Sequence, residues 1–412
     1  MIKITYLTLV KFSLRREIKL KFINGQKILG TFTPTNKSEL QKTVLDLYKS
    51  GSPMTFIGGG TKKHFGQTYN KNLSVIYTNN LNKIIDYNPS DLTITVESGM
   101  KVNSLVKELE KNNQFLGYRL PLVEQSTIGG STSYGYSGTY RFNDIHIRDS
   151  IIGLEAVDYN GNYVKSGGQV VKNVSGYDAH KLFIGTSGSF GPIYSLSFKV
   201  YPIPNNSIFV DLLFDDISDA YLLAKNYLLY NWNIPRLSIM SSSSDRMYKL
   251  TVDIVGTNST VTKISNSIYA DYKKFTQYKS ELSDRIFTDN FGYELDKMKI
   301  LIKFTSNKNN FFLPLSDYLK DLDLKYDLMI NPIYGFASLI VDFDDNLNKF
   351  IDDLKLIMTK NKINMIIEGI NLEQHNLLIN TKNTNNNIIN TLTKSFKDTY
   401  DNRNLFSPGK LL

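Results

Sequence analysis

Two glycine-rich turns are the segments whose residue types and spacing could do chemistry. The strand-like run Met54–Ile57 leads into Gly58-Gly59-Gly60-Thr61, and a second run, Thr127-Ile128-Gly129-Gly130-Ser131, follows about 70 residues later. Consecutive glycines let a turn aim several backbone N–H groups at one point, because glycine adopts positive φ without steric penalty. Such a turn attracts phosphate, and two of them together are suited to a diphosphate.

The context of these turns argues against two common kinds of nucleotide site. Their spacing does not fit the lysine loop of a Walker motif, and no G-x-G-x-x-G pattern follows the first predicted strand. The sequence therefore predicts neither a P-loop nucleoside triphosphatase nor an ordinary Rossmann domain.

Composition narrows the chemistry further. The 412 residues are 41% hydrophobic and 21% charged, which is enough apolar material for two or three domains. They include no cysteine, so these residues cannot hold an iron–sulfur cluster, a thiolate zinc site or a cysteinyl cofactor link. No apolar run reaches the roughly eighteen residues that indicate a membrane-spanning helix.

The formal net charge of +9 is concentrated at one end. Residues 1–22 carry a net +5, so little remains to form a basic groove elsewhere and nucleic-acid binding is disfavoured. No signal peptide is expected, because basic residues also follow the apolar stretch and no small-residue cleavage pattern appears. We interpret this segment as a strand or an over-long start, with a surface-binding arm as the alternative.

Capping residues and hydrophobic periodicity predict the elements that position the turns. Asn36 and Glu39 have the spacing of a capping box and begin a helix that ends near Gly51. Asn160-Gly161 is typical of a hairpin turn, and 201–206 reads as a domain boundary. The other elements predicted in this half are strands at 75–78, 92–97, 151–158, 163–165 and 193–200, and a helix at 102–109.

The second half has fewer glycines and repeats an order of strands and helices. This order predicts two related α+β halves. Strands are predicted at 208–214, 237–240, 248–255, 298–304, 336–343 and 363–368, and helices at 217–230, 259–278, 314–321, 346–359 and 388–400.

The glycine turns also resemble a known family, the FAD-binding domains of the PCMH type, also called the vanillyl-alcohol oxidase family. Residues 57–61 are similar to its pyrophosphate loop, and residues 127–130 to its second cofactor loop. The Gly-Thr-Ser-Gly-Ser-Phe-Gly-Pro-Ile run at 185–193 is similar to the stretch beside the adenine and ribose. Within the family, residues 148–153, 167–178 and 404–411 most resemble the FAD-binding E subunit of glycolate oxidase.

The resemblance implies an α+β fold with three parts. An N-terminal extension at 1–35 precedes a two-subdomain PCMH-type FAD-binding domain at 36–203. An α+β, ferredoxin-like cap domain follows at 204–412, and its C-terminal tail is expected to return to the FAD domain. The implied cofactor is FAD, and the implied binding residues are Ile57, Gly58, Gly59, Gly60, Thr61, Thr127, Ile128, Gly129, Gly130, Ser131, Arg148, Lys172, Gly188 and Ile193.

Three departures from the family refine this expectation. Thr61 stands where some members carry a histidine bonded to FAD, and His64 lies three residues further on, so FAD should bind non-covalently. The metal-binding His-x-Gly-Asp-Gly-Asn-x-His sequence of related D-lactate and 2-hydroxyglutarate dehydrogenases has no counterpart, since His375 is the only histidine beyond residue 204. Ser187 replaces the glutamate of their Gly-Ser-Glu-Gly stretch. We therefore expect no metal site, and an accessory flavin subunit is favoured over a self-sufficient dehydrogenase.

Polar groups near the flavin ring are the candidates for a catalytic role. They are Lys172, Tyr177 and Asp178, accompanied by Asn173 and Arg148. A cation at the N1 and C2-carbonyl edge assists electron uptake, and Lys172 and Arg148 are the candidates for it. The alternatives are that Asp178 caps a following helix and that Tyr177 only packs. No general base is assigned.

The function implied by the resemblance is that of an FAD-dependent oxidoreductase. It would be the FAD-binding subunit of a glycolate-oxidase-like complex, carrying electrons during oxidation of a small 2-hydroxy acid. Its partners would be a second flavoprotein and an iron–sulfur subunit, and it would be cytoplasmic, reaching the inner membrane face only through them. The alternatives are a stand-alone FAD-linked dehydrogenase or oxidase of another alcohol or 2-hydroxy acid, and a non-catalytic scaffold, against which the intact glycine turns argue.

Overall fold

The computed structural model describes most of the chain. The described residues are 22–23, 26–62, 72–135, 146–168, 178–230, 232–244, 247–275, 281–283, 299–308, 310–320, 322–332, 335–342, 347–369 and 387–410.

A small, mainly parallel sheet carries the first glycine turn. Its strands lie in the order β1-β2-β4-β3, and β2 and β3 both run parallel to β4. Strand β2 falls within the segment assigned to an N-terminal extension, so the sheet begins earlier than the boundary expected at residue 36. The bounds are β1 Phe22–Ile23, β2 Gln26–Phe32, β3 Met54–Ile57 and β4 Leu73–Tyr77.

The helix predicted after Asn36 is α1, Lys37–Lys49, and it packs its apolar face on this sheet. Asn36 accepts a hydrogen bond from the Glu39 N–H at 3.0 Å, as a helix-capping side chain does. The Glu39 carboxylate does not close the box on Asn36. It accepts instead from the Thr35 N–H at 2.9 Å, one residue earlier than predicted.

A second, antiparallel sheet holds the other predicted strands of the first half. Its order is β5-β6-β10-β8-β9, and helix α2 packs against it through the buried Val102, Leu105 and Leu109. The segment 201–206, predicted as a domain boundary, begins with a short strand, because β11 pairs with β7. The bounds are β5 Ile84–Asn88, β6 Thr93–Glu97, α2 Val102–Glu110, β7 Gln114–Phe115, α3 Ile128–Tyr134, α4 Ile147–Ser150, β8 Ile151–Val157, β9 Tyr163–Gly167, β10 Ile193–Lys199 and β11 Tyr201–Pro202.

The second half forms an eight-stranded antiparallel sheet in the order β15-β12-β14-β13-β17-β18-β16-β19. Strand β17 was not predicted, and helix α6 ends at Tyr272 rather than at 278. The bounds are β12 Asn206–Phe214, α5 Ile217–Tyr227, β13 Arg236–Ser242, β14 Tyr248–Gly256, α6 Asn258–Tyr272, β15 Glu281–Ser283, β16 Lys299–Thr305, α7 Leu313–Lys320, β17 Tyr326–Asn331, β18 Phe336–Asp342, α8 Leu347–Asn361, β19 Asn364–Gly369 and α9 Asn387–Tyr400.

The two related halves predicted for this region are present. A strand–helix–strand–strand–helix unit occurs as β12-α5-β13-β14-α6 and again as β16-α7-β17-β18-α8, and each unit places its third strand between the other two. The units join where β13 pairs with β17. The repeat therefore builds one continuous sheet from two copies of a ferredoxin-like unit.

The two faces of this sheet differ in character. Alternate strand residues such as Leu237, Ile239 and Ile302 pack under the helices in the main core. Because successive strand residues point to opposite faces, the intervening Arg236, Ser238 and Lys303 lie on the other side. That second face carries buried polar groups and turns toward helix α3, where Leu301, Ile340 and Tyr134 pack together.

Among the described helices, none is long and apolar enough to cross a bilayer.

Candidate functional site

A cleft lies where the first sheet meets helix α3 and the chain after α9. Both glycine turns reach it, and so do two lysines at positions far apart in the sequence. Its described lining consists of Thr55, Phe56, Ile57, Gly58, Gly59, Gly60, Thr61, Lys62, Thr78, Ser98, Thr127, Gly129, Gly130, Ser133, Tyr134, Ser187, Gly188, Gly191, Pro192, Ile193 and Lys410.

The two glycine turns are in direct contact. A Cβ atom built on Gly58 would lie 1.9 Å from the Thr127 hydroxyl oxygen, and one on Gly59 would lie 1.9 Å from the Gln125 carbonyl oxygen. The Thr61 hydroxyl is also within 3.3 Å of the Ser126 hydroxyl. Glycine is required at 58 and 59 because the second turn occupies the space of any side chain.

The two turns use their backbone N–H groups differently. In the second turn the groups are engaged within the protein: Ile128 donates to Met100, Gly129 to Ser98 and Gly130 to the Thr127 side chain. In the first turn, the N–H groups of Gly59, Gly60 and Thr61 donate to no backbone carbonyl of the described residues. The first turn therefore offers donors to a ligand, whereas the second turn supplies a wall.

The stretch 185–193 and the segment after α9 form the remaining wall. Met54 donates to Leu405 at 2.8 Å and Ser407 donates to Met54 at 2.7 Å, so the late segment extends the first sheet beside β3. Gly188 packs against this pair of segments, where a Cβ would meet Phe56 at 2.9 Å and Ser407 at 3.1 Å.

A buried ion pair fixes this late segment. The Lys397 ammonium lies 2.7 Å from the Asp401 carboxylate and also donates to the carbonyls of Ser189 and Phe406. The same carboxylate accepts from the N–H groups of Leu405 and Phe406 at 2.9 and 2.8 Å. Burial lowers the pKa of Lys397, and the neighbouring Asp401 opposes that shift. The pair thus joins α9 to the 185–193 stretch and to the added strand.

The described cleft lining is positively charged. Lys62 follows the first glycine turn and Lys410 follows the added strand, and the described lining includes no aspartate or glutamate. The Ser98 hydroxyl, buried at the cleft wall, has no hydrogen-bond partner among the described residues. Free amide donors, two cations and a buried hydroxyl fit the diphosphate and polar edges of a dinucleotide such as FAD.

Most of the predicted binding residues meet at this cleft. Ile128 and Ser131 do not line it, because they are buried behind it in helix α3. Lys172 and Tyr177, like Asn173, His64 and His375, lie outside the described residues. The predicted residues that line the cleft are Ile57, Gly58, Gly59, Gly60, Thr61, Thr127, Gly129, Gly130, Gly188 and Ile193.

Arg148 and Asp178 lie together at another place. The Arg148 guanidinium donates to the Lys181 carbonyl at 3.1 Å, and neither residue lines the cleft. Asp178 precedes a short 3-10 turn, but its side chain makes no capping hydrogen bond, so the capping alternative is wrong. Its carboxylate is 3.1 Å from the Lys181 ammonium, and that hydrogen bond lowers the pKa of Asp178.

Sequence reasoning did not assign Lys62, Lys410 or Ser98 to the site. Lys410 belongs to the 404–411 segment that carried the family resemblance, so a signal for it was present. Lys62 directly follows the first glycine turn, so its position was also a signal, whereas Ser98 carried none because its sequence neighbours do not reveal that it reaches the cleft.

A polar pair stands between the cleft and the eight-stranded sheet. The Lys303 ammonium is ion-paired with Glu368, and it approaches the Tyr134 hydroxyl at 3.5 Å. Tyr134 itself lines the cleft. Among the described residues, no group of three or more histidine and carboxylate side chains is placed to hold a metal ion.

Comparison with known proteins identifies the class of this domain. Residues 28–167 match a family described as FAD binding domain, and this range includes both glycine turns and strand β2. The chain therefore carries an FAD-binding domain of the PCMH type, which confirms the family resemblance and FAD as the cofactor.

Individual relatives share the same region. The chain is 33% identical over 126 residues to glycolate oxidase subunit GlcE of Escherichia coli (strain K12), covering 30% of this chain and 36% of that protein. It is 27% identical over 191 residues to glycolate oxidase subunit GlcD of Bacillus subtilis (strain 168), covering 46% and 41%. It is 24% identical over 217 residues to D-lactate dehydrogenase of Anaerostipes hadrus, covering 53% and 43%. These matches span 36 to 43% of the relatives' lengths.

The fold extends the likeness beyond the FAD-binding domain. A solved structure of alkyldihydroxyacetonephosphate synthase superimposes with a TM-score of 0.67 at 15% identity, covering 92% of this chain and 77% of that one. The α+β architecture is therefore confirmed over nearly the whole chain.

Proposed function

We propose that this protein is an FAD-dependent oxidoreductase that binds FAD non-covalently and takes part in the oxidation of a small 2-hydroxy acid. The observation that carries the proposal is the cleft that both glycine turns reach, since both turns lie within the region that matches the FAD-binding family. The names of the relatives, glycolate oxidase and D-lactate dehydrogenase, support the substrate class.

The chain's own residues would bind and orient the cofactor. Bound FAD would supply the acceptor for the two electrons released when a 2-hydroxy acid becomes a 2-oxo acid. The N–H groups of Gly59 and Gly60 would donate to the diphosphate, and Thr127 and Gly188 would keep the cleft walls close. Thr61 offers a hydroxyl, which cannot form the histidyl link to a flavin at this position, and this supports the proposed non-covalent binding.

The electrons then have to leave the site through another molecule. The 412 residues include no cysteine, so they cannot build an iron–sulfur relay. We propose that the protein is the flavin-carrying subunit of a glycolate-oxidase-like assembly with a second flavoprotein and an iron–sulfur subunit. In that assembly it would work in the cytoplasm, at the inner membrane face through its partners.

A stand-alone dehydrogenase is the second candidate function. The observation in its favour is the Lys303–Glu368 pair, because a half-buried cation beside Tyr134 could hold a substrate carboxylate next to the cleft. A non-catalytic scaffold has no comparable observation in its support.

Denaturation tests the non-covalent link. We expect the yellow flavin spectrum of the FAD-loaded protein to pass entirely into the supernatant when the protein is precipitated with acid. Flavin retained on the precipitated chain would contradict the role given to Thr61.

Turnover separates the subunit from the stand-alone enzyme. We expect the isolated FAD-loaded chain to show little reduction of a dye acceptor with glycolate or D-lactate, and turnover to appear when the other subunits of the assembly are added. Rapid anaerobic bleaching of the flavin in the isolated chain would instead establish the stand-alone dehydrogenase. Failure to bind FAD would overturn both.

A further inference from the structure

The two lysines of the cleft reach it from opposite ends of the chain. Lys62 directly follows the glycine turn after β3, and its ammonium lies 3.4 Å from the Thr61 hydroxyl and 5.7 Å from the centre of the Tyr134 ring. Lys410 follows the segment that extends the same sheet beside β3, on the side of Gly188 and Ser407. The described lining thus brings together one cation from each of these two segments.

Both lysines are half-buried in the cleft wall. Burial lowers the pKa of Lys62 and of Lys410 from 10.5 to about 8. A positive charge that is disfavoured in this way is stabilised by an anion arriving beside it, because the anion replaces the lost interaction with water. The cleft is therefore suited to bind an anionic ligand.

We propose that Lys62 and Lys410 both clamp the diphosphate of FAD, so that FAD binding takes up protons in mildly alkaline solution. This inference rests on the proposed function, and it adds the cationic contacts and the proton linkage to the backbone donors of the first turn. The second glycine turn contributes no charge, which leaves these lysines as the charged groups of the described lining.

Other charged or titratable groups of the described residues surround the clamp. Tyr134 lies between Lys62 and the Lys303–Glu368 ion pair, and the Lys397–Asp401 pair lies behind Ser189 and Phe406. Tyr77, on the strand beside β3, is buried and has a raised pKa, so it stays neutral in the pH range concerned.

The sign of the pH dependence follows from linkage. Free protein loses the lysine protons as the pH rises through about 8, whereas the FAD complex keeps them because the diphosphate raises both pKa values. Binding then requires proton uptake above pH 8. The dissociation constant of FAD should rise about tenfold per lysine between pH 7 and pH 9, and stay nearly constant below pH 7.

The test is a titration of the full-length apo protein with FAD at pH 7 and pH 9, followed by flavin fluorescence. Lys62→Gln and Lys410→Gln should each raise the dissociation constant at pH 7 about tenfold and each remove about one tenfold step of the pH effect. The matched control is Lys111→Gln, since that side chain is 67% exposed and paired with Glu108 away from the cleft. It should behave like the unmodified protein.

Two further measurements separate a ligand contact from a structural one. Calorimetric titration at pH 8.5 in two buffers of different ionisation enthalpy should show net proton uptake with FAD and none with riboflavin, which lacks the diphosphate. The melting temperature of the apo protein at pH 7 should stay equal or rise in Lys410→Gln, because a disfavoured charge is removed.

The outcomes distinguish this inference from the proposed function. A pH-independent FAD affinity, equal proton uptake with riboflavin, or a lowered apo melting temperature with unchanged affinity in the variants would overturn the clamp. Absence of FAD binding by the unmodified protein would overturn the proposed function itself.

Discussion

Replacing Gly59 by valine is expected to weaken FAD binding by about 5- to 150-fold, because strain from overpacking of this kind costs about 1–3 kcal/mol. A Cβ at this position would lie 1.9 Å from the Gln125 carbonyl oxygen and 2.9 Å from its carbon, and backbone atoms cannot turn aside as a flexible side chain does. The two glycine turns would have to separate, which moves the amide donors of Gly59 and Gly60. The measurement is a fluorescence titration of purified apo protein with FAD.

Gly30→Val provides the matched control for this variant. Gly30 lies in β2 of the same sheet, and a Cβ there meets only the Phe32 ring, at 3.4 Å. It does not line the cleft, so FAD affinity should change little. Equal affinities of the Gly59→Val variant and the unmodified protein would contradict the role of the first turn. A melting temperature for each apo variant shows whether it is folded.

Replacing Asp401 by alanine is expected to lower the free energy of unfolding by about 3–5 kcal/mol, the range for one partner lost from a buried ion pair. Asp401 is 1% exposed, and its carboxylate faces the Lys397 ammonium at 2.7 Å. Its loss leaves a buried ammonium unbalanced, and two backbone N–H groups lose their acceptor. Urea unfolding followed by circular dichroism measures the change.

Asp398→Ala is the control for Asp401→Ala. Asp398 is exposed near the end of α9, just before Asp401, and its substitution removes the same charge. We expect a change below about 0.5 kcal/mol there. A double variant, Lys397→Met with Asp401→Leu, should recover much of the lost stability, since it leaves no unpaired charge. Equal stability of the two single alanine variants would show that the ion pair does not hold the late segment.

Local sequence signals predicted most elements because their causes are local. Alternation in 193–200 and the Asn160-Gly161 turn each arise from neighbouring residues, and the corresponding strands and hairpin are confirmed. The repeat in the second half could also be predicted from the sequence, since both copies have the same order of strands and helices. Strand β17 was missed because Tyr326–Asn331 mixes buried and exposed residues without a clear period.

Site residues that depend on distant contacts were harder to predict. The chain path alone decides that Lys62 and Lys410 share a cleft and that Arg148 lies beside Lys181 instead. The different roles of the two turns could not be predicted either. The Gly129 N–H of the second turn is not available to a ligand because it donates to the Ser98 carbonyl, 31 positions earlier. The glycine motifs indicated the kind of ligand, but the charges that meet it come from tertiary structure.

The β-bridge between the late segment and β3 also affects when the protein can bind its cofactor during synthesis. The Thr55 and Ser407 hydroxyls, 3.3 Å apart, are separated by 352 positions in the sequence. Since a ribosome delivers the chain from its N-terminus, the edge of the first sheet stays uncovered until residue 407 has been made. A nascent chain that has reached residue 369 has both glycine turns but neither Lys410 nor the covering segment, so we expect it to bind FAD more weakly than the full chain.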